Sequence, residues 1–329
     1  MRRAIRILWL SAACVSLVCT QATAQFLNPR YGRVLQEWEK YYQAALEAYQ
    51  QDNFEEAEQQ FFRAHEEVKK FGPDDPRLAT TLNDLAKVYH AEGKYTDAAL
   101  LYRQSLAIDE KALGKGHRDI AGDLNNLAMA YHDLGRDAEA LPLYRRTLQI
   151  VEKSFWAEHP YVITTVRHLA ETFDALGRFA EAAPYWARLL STQEKDLGPV
   201  HPEVAAILRR LAQINRDQSK YSTAEGLYQR VLAIDEELSG NENTQVAEDL
   251  NTLAEVYVVQ GKYADAQPIY QRSLVIEEKV FGPENRTMVR GLKNYAVLLR
   301  KIGRGSEAAE MEAKADAITA KAATEREGK

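Results

Sequence analysis

Glycine returns at a fixed interval in this chain. Gly93, Gly135, Gly177, Gly261 and Gly303 are separated by 42 residues or a multiple of it, with Ser219 in the vacant place. A second series, Gly72, Gly114, Gly198, Gly240 and Gly282, has the same period, and Trp156 stands where its missing member falls. Length alone would suggest two or three globular domains for 329 residues. Self-similarity at one period predicts instead a stack of one repeated structural unit, each copy burying its apolar face against the next.

Between the two glycine series the apolar residues follow helical spacing, as in Leu124, Leu127, Ala128 and Tyr131, or Ala140, Leu143, Tyr144 and Leu148. Each repeat therefore reads as two amphipathic helices joined by a tight turn at the first glycine, where a helix commonly ends in a left-handed residue. The other junction carries Asp75, His117, His159, His201, Asn243 and Asn285 at one phase, followed by Pro76, Pro160 or Pro202 in three repeats. Asp and Asn cap helix N-termini and proline favours the first helical position, so these residues are expected to start helices.

Two phases hold alanine in every repeat: Ala45, Ala86, Ala128, Ala170, Ala212, Ala254 and Ala296 on the first helix, and Ala57, Ala98, Ala140, Ala182, Ala224, Ala266 and Ala308 on the second. A side chain that never exceeds a methyl marks a close approach of two backbones. Tyr89, Tyr131, Phe173 and Tyr257 on first helices, and Tyr102, Tyr144, Trp186, Tyr228 and Tyr270 on second helices, fall beside the alanines and read as interhelix core.

The pattern Leu-Asn-Asn-Leu-Ala-x-x-Tyr-x-x-x-Gly-x-x-x-x-Ala-x-x-x-Tyr, from Leu124 to Tyr144, resembles the tetratricopeptide repeat. The 42-residue spacing and the linkers "HPYV" at His159 and "HPEV" at His201 resemble the variety found in kinesin light chains. The resemblance covers residues 38–313 and implies an all-α fold, a right-handed α-solenoid of about seven antiparallel helix pairs. The first repeat departs from the pattern with Asp52 at the turn glycine and one residue fewer, and the last has Glu312 in place of an aromatic. Both read as end caps. Residues 25–37 form a lead-in, and residues 314–329 a polar tail expected to continue as a fraying helix.

At the N-terminus, Arg2, Arg3 and Arg6 precede an apolar run from Ile7 to Val18 and then Ala22-Thr23-Ala24. This is the plan of a secretory signal peptide over residues 1–24. The run falls short of the ~20 apolar residues that span a bilayer, so no transmembrane segment is expected after cleavage, and the protein is expected in the periplasm or outside the cell. Cys14 and Cys19 both lie in the removable segment, leaving no disulfide, thiolate nucleophile or cysteine metal ligand. Cleavage also removes three positive charges, taking the formal charge from -6 to about -9. An acidic exported protein is a poor ligand for nucleic acid.

The histidines do not assemble a metal site in this reading. His117, His159 and His201 share a phase, as do His90 and His132, so equivalent rings stand two helix diameters apart, roughly 16 to 20 Å, against zinc–nitrogen bonds of about 2 Å. The chain has no His-Glu-x-x-His, no Gly-x-Ser-x-Gly elbow and no phosphate loop. No cofactor and no catalytic activity are expected.

The family resemblance implies that the first helix of each pair lines the inner, concave surface. There the residue after the repeated leucine or valine is expected to point inward: Tyr42, Asn83, Asn125, Arg167, Arg209, Asn251 and Lys293. Asparagine can both donate to and accept from the backbone of an extended peptide; its alternative role is to satisfy neighbouring parts of the same chain. Arg167, Arg209 and Arg216, with Arg210 at the edge and Lys293 and Arg300 beyond, concentrate positive charge suited to an acidic segment or a free C-terminus. The alternative is that these arginines pair with Glu171, Asp174 and Asp217. The function expected is a non-enzymatic scaffold or adaptor for a protein or peptide; a self-associating structural part of an envelope complex, or an accessory to a separate enzyme, is the other reading.

Overall fold

The computed structural model describes residues 29–327, and the candidate signal peptide lies outside them. Those residues form fourteen α-helices, one 3-10 turn and no strand. They gather into two compact units, divided after Leu176. The first contains α1 (Pro29–Gln50), α2 (Phe54–Val68), α3 (Pro76–Ala91), α4 (Tyr95–Leu113), α5 (Ile120–Asp133), α6 (Asp137–Ser154) and α7 (Pro160–Ala175). The second contains α8 (Phe179–Leu197), α9 (Pro202–Asp217), α10 (Tyr221–Ser239), α11 (Thr244–Val259), α12 (Tyr263–Phe281), α13 (Met288–Lys301) and α14 (Gly305–Glu327). Within each unit every helix packs on the one before it and the one after it in the chain.

The turn between paired helices is built the same way repeatedly. Where α3 ends, Gly93 takes φ 77° and the Lys94 amide reaches back to the Tyr89 carbonyl at 2.8 Å. Arg136 to Tyr131, Lys220 to Asn215, Lys262 to Tyr257 and Arg304 to Leu299 repeat that bond. It is the six-to-one closure of a Schellman motif, which needs a left-handed residue just past the cap. Asp52 and Ser219 adopt the same conformation at φ 57° and 59° without being glycine.

At the other junction the expected caps hold for Asp75, His159, His201 and Asn243, whose side chains accept from the amides of Arg77, Tyr161, Glu203 and Gln245. His117 and Asn285 do not start their helices directly. No proline follows them, and the chain makes one hydrogen-bonded turn, Ile120 N to His117 O at 3.2 Å and Met288 N to Asn285 O at 3.1 Å, before α5 and α13 begin. Trp156 also has a consequence. Second helices α4, α8, α10 and α12 end on glycines with φ of 79° to 86°, a conformation closed to tryptophan. Helix α6 instead stops at Ser154 with Phe155 extended, and Trp156 is left 65% exposed.

All fourteen repeated alanines are 0% exposed. In the second unit Ala212, Ala224, Ala254, Ala266, Ala296 and Ala308 share one core with Tyr228, Tyr257 and Tyr270. The second-helix aromatics Tyr102, Tyr144, Trp186, Tyr228 and Tyr270 are buried, as the core reading requires, while the first-helix rings Tyr89 and Tyr131 are only partly covered. Replacing Ala128 with leucine should overpack its contact and lower stability by about 1 to 3 kcal/mol. An unchanged melting temperature would remove the close-approach role from this position.

Candidate functional site

The polar residues of the first helices are engaged with one another from repeat to repeat. Asn83 on α3 donates through Nδ2 to Asp123 on α5, 40 residues on, and accepts at Oδ1 from Asn126 Nδ2 at 3.2 Å, 43 residues on. Residues 40 and 43 positions away are one helical turn apart on the next first helix, so a single side chain grips both. Trp38 Nε1 donates to Thr81 Oγ1 at 3.0 Å with the same 43-residue separation, and Tyr42 donates to Asp84.

Asn125 makes the next link, with Oδ1 at 3.1 Å from Nδ1 of His168 on α7. Burial holds the His168 imidazole down at about 4, so the neutral ring donates through Nδ1. In the second unit, Arg209 on α9 bonds Asp249 on α11 through Nε at 3.1 Å and Asp235 on α10 through Nη2 at 2.6 Å. Asn251 on α11 accepts from Asn294 Nδ2 on α13 at 3.1 Å. Asn83, Asn125 and Asn251 are 9%, 9% and 2% exposed; each accepts at Oδ1 across a repeat boundary, while Asn125 Nδ2 turns to Met129 Sδ on its own helix at 3.2 Å.

A second-helix residue completes three of these junctions. Asp109 on α4 adjoins Asp123, and burial followed by that like-charged neighbour pushes the Asp123 carboxyl up, with Asn83 and Lys87 opposing. Asp235 is likewise pushed up by burial and Asp249, with Arg209 opposing. At the last junction the same phases hold Asn251, Glu277 and Gly291. Glu277 is 5% exposed and its Oε2 has no hydrogen-bond partner. Burial, then the charge of Glu248, pushes this carboxyl up to about 7, with Arg290 opposing.

The remaining candidates lie nearer the surface. Arg167 on α7 is half-buried, and its charge acts on His168 and Glu171. Arg210 donates to Gln213 at 2.9 Å and lies 5.3 Å from the Phe179 ring centroid. Arg216 sits 3.6 Å from Asp217 and 3.7 Å from Glu255. Lys293 lies 3.4 Å from Asp316, and Arg300 bonds Glu312 at 2.6 Å, both partners being on α14. Of the carboxylates named as alternative partners, Asp217 lies beside Arg216, whereas Arg209 bonds Asp235 and Asp249 instead. Sequence reasoning missed Asp123, Asp235, Asp249, Glu277 and Arg290. The available signal was the recurrent Asp-Leu-Asn of 123–125 and 249–251, whose Asp answers the preceding repeat and whose Asn answers the following one.

Among the described residues no group of three or more His, Cys, Asp or Glu could hold a metal ion, and no helix is long and apolar enough to cross a membrane. The sequence profile of the tetratricopeptide repeat matches residues 39–111, 120–185, 175–237 and 245–319. The chain is a tetratricopeptide repeat protein. A crystal structure of nearly identical tetratricopeptide-like repeats from a Podosopora anserina chain assigned as a kinesin light chain is 24% identical, with a TM-score of 0.53, covering 63% of this chain and 98% of that one. BtubC from P. vanneervenii is 22% identical, with a TM-score of 0.52, covering 69% of this chain and 89% of its own. The apo form of RapI is 14% identical with a TM-score of 0.51, covering 88% and 99%. No curated protein matches. The tetratricopeptide array is thus an all-α repeat solenoid, a fold that serves protein interaction.

Removing the Arg209 guanidinium leaves Asp235 and Asp249 facing each other while mostly buried. Arg209→Ala should cost about 2 to 4 kcal/mol in chemical denaturation, more than truncating an ordinary half-exposed arginine; a loss below about 0.5 kcal/mol would contradict the junction role. Glu277 binds a proton more tightly folded than unfolded. Its contribution to stability is therefore full below 4.5 and lost as pH rises through about 7. Wild type should lose stability relative to Glu277→Gln across that window, and parallel stability curves would contradict it.

Proposed function

We propose that this tetratricopeptide protein is a non-enzymatic scaffold of the cell envelope that holds a protein or an extended peptide on the exposed face of its first helices. The observation that carries the reading is the surface left after the junction residues are accounted for. On α11 and α13, Val259 and Val297 are 58% and 49% exposed, which is unusual for valine, and both helices also carry exposed charged residues, Glu248 on α11 and Arg290, Lys293 and Arg300 on α13. Apolar side chains exposed on helices that also carry exposed charge offer a partner chain both burial and ion pairing. The cationic members Arg216, Lys293 and Arg300 give that face its preference for an acidic segment or a chain terminus, each now held by an intramolecular carboxylate that a ligand would displace. The leader-like residues 1–24 support export.

A photo-crosslinking residue at Val297 or Val259 in the full chain, expressed in its native envelope, should capture a defined partner. The same residue at Val275, 65% exposed on second helix α12, should capture little. Charge reversal at Arg216, Lys293 and Arg300 together should abolish the Val297 product, and a purified protein starting at Gln25 should carry it. Equal capture from Val275 and Val297 would contradict the first-helix face as the binding surface, and a partner bound only by protein retaining Met1 would contradict export.

A further inference from the structure

Within each unit a recurring ion pair joins one second helix to the next. Arg146 on α6 bonds Glu110 on α4, Arg230 on α10 bonds Glu194 on α8, and Arg272 on α12 bonds Glu236 on α10 at 2.7 Å, with Lys314 on α14 lying 3.9 Å from Glu278 on α12. The cations share one phase of the 42-residue period and the carboxylates another. At the first junction both members are replaced. Gln104 on α4 stands at the cation's place, and the carboxylate's is taken by Val68 when counted back from Gly72, or by Lys69 when counted forward from Ala57.

In place of the ion pair, α2 and α4 flank an open groove of about 460 Å³, within the range of small binding pockets, roughly 300 to 1,000 Å³. Its lining is mainly apolar, with Leu78, Leu82, Ala107 and Ile108 facing His65 and Lys69. Lys69 is paired with Glu66 at 3.1 Å, and burial, then the charge of Lys69, lowers the His65 imidazole and favours its neutral form. Access is open, since Ala107 is exposed and a Cβ added to Gly72 on the groove wall would meet nothing within 4 Å. Such a groove suits an occupant that is apolar and carries no charge of its own, because a charge taken out of water there would find no free partner.

The chain itself supplies one. Helix α1 begins at Pro29, and Tyr31 in its first turn stacks on Phe71 with ring centroids 5.7 Å apart. Phe71 directly precedes Gly72 and Pro73 of the groove wall, so the chain enters α1 beside the groove. Residues 25–28, which precede the described residues, read Gln-Phe-Leu-Asn: two apolar side chains between two amides, with no charged side chain. A residue before proline is biased to extended backbone, which favours a departure from the helix axis at Asn28, and four extended residues reach about 13 Å. We propose that Phe26 and Leu27 dock in the groove between α2 and α4, so that the chain's own lead-in closes by apolar burial the one junction that lacks the ion pair. This contact lies on the second helices and is independent of the scaffold reading, whose surface is on the first helices.

The test uses the purified full chain with Cys14→Ser and Cys19→Ser, so that one introduced thiol can be followed by its rate of maleimide labelling. Ala107→Cys should label about tenfold or more slowly with Phe26 and Leu27 in place than in the Phe26→Ser, Leu27→Ser background, the protection expected from burying an apolar side chain over it. Val275→Cys, at the same phase on α12 and 65% exposed in the native residue, should label equally fast in both backgrounds. Leu27→Cys combined with Ala107→Cys should form an intramolecular disulfide on mild oxidation, and combined with Val275→Cys should not. Equal labelling of Ala107→Cys in the two backgrounds would overturn the proposal. Protection or crosslinking that appears only at high protein concentration would also overturn it, by assigning the segment to the groove of a second copy.

Discussion

Two helices can lie against each other at short range only if the residues at the crossing are small, and in this protein that condition is met by alanine at two phases in every repeat. All of those methyl groups are fully buried. The large rings of the second helices, such as Tyr144 and Tyr270, then have a fixed surface to pack on, and both are nearly inaccessible. Because each pair is short, its outer faces are satisfied only by the next pair, which is why the apolar contacts follow the chain from helix to helix.

Apolar contact sets the spacing between repeats but leaves their register free to slip; directional bonds remove that freedom. The polar links do so with different chemistry at one phase: an amide at Asn83 and Asn125, a guanidinium at Arg209, and an amide again at Asn251. What each link meets has changed with it. Asn83 faces an acid pair, Arg209 two acids, Asn125 a neutral imidazole. The position is thus defined by its place between helices, with charge balanced locally. At the Glu277 junction one buried carboxylate oxygen, Oε2, has no hydrogen-bond partner.

The repeat, its helix boundaries and its alanine contacts were legible because they rest on short-range rules: periodicity, a left-handed residue after a helix, a side-chain cap before one. Trp156 shows the limit of those rules, since the period marks its place as exceptional without saying that α6 would end a residue early. The candidate site was less legible. Asn125 sits at the edge of an apolar stripe, between Leu124 and Leu127, where the helical angle alone permits either solvent or a neighbouring helix. Which of these holds depends on His168, 43 residues away. Arg209 is similar: its charge reads as a ligand contact until Asp235 and Asp249 are brought to it by two other helices. The face that remains for a partner follows by subtraction, and so could not be read from single residues.

The most direct test of the claim that these polar links join the repeats is a double-mutant cycle on Asn83 and Asp123, which belong to successive first helices and lie 40 residues apart. The equilibrium stabilities of Asn83→Ala, Asp123→Ala and the double variant give a coupling free energy. A coupling of about 1 kcal/mol or more is expected for a buried hydrogen-bonded pair. Additivity within about 0.3 kcal/mol would show that the two residues act independently and contradict the account.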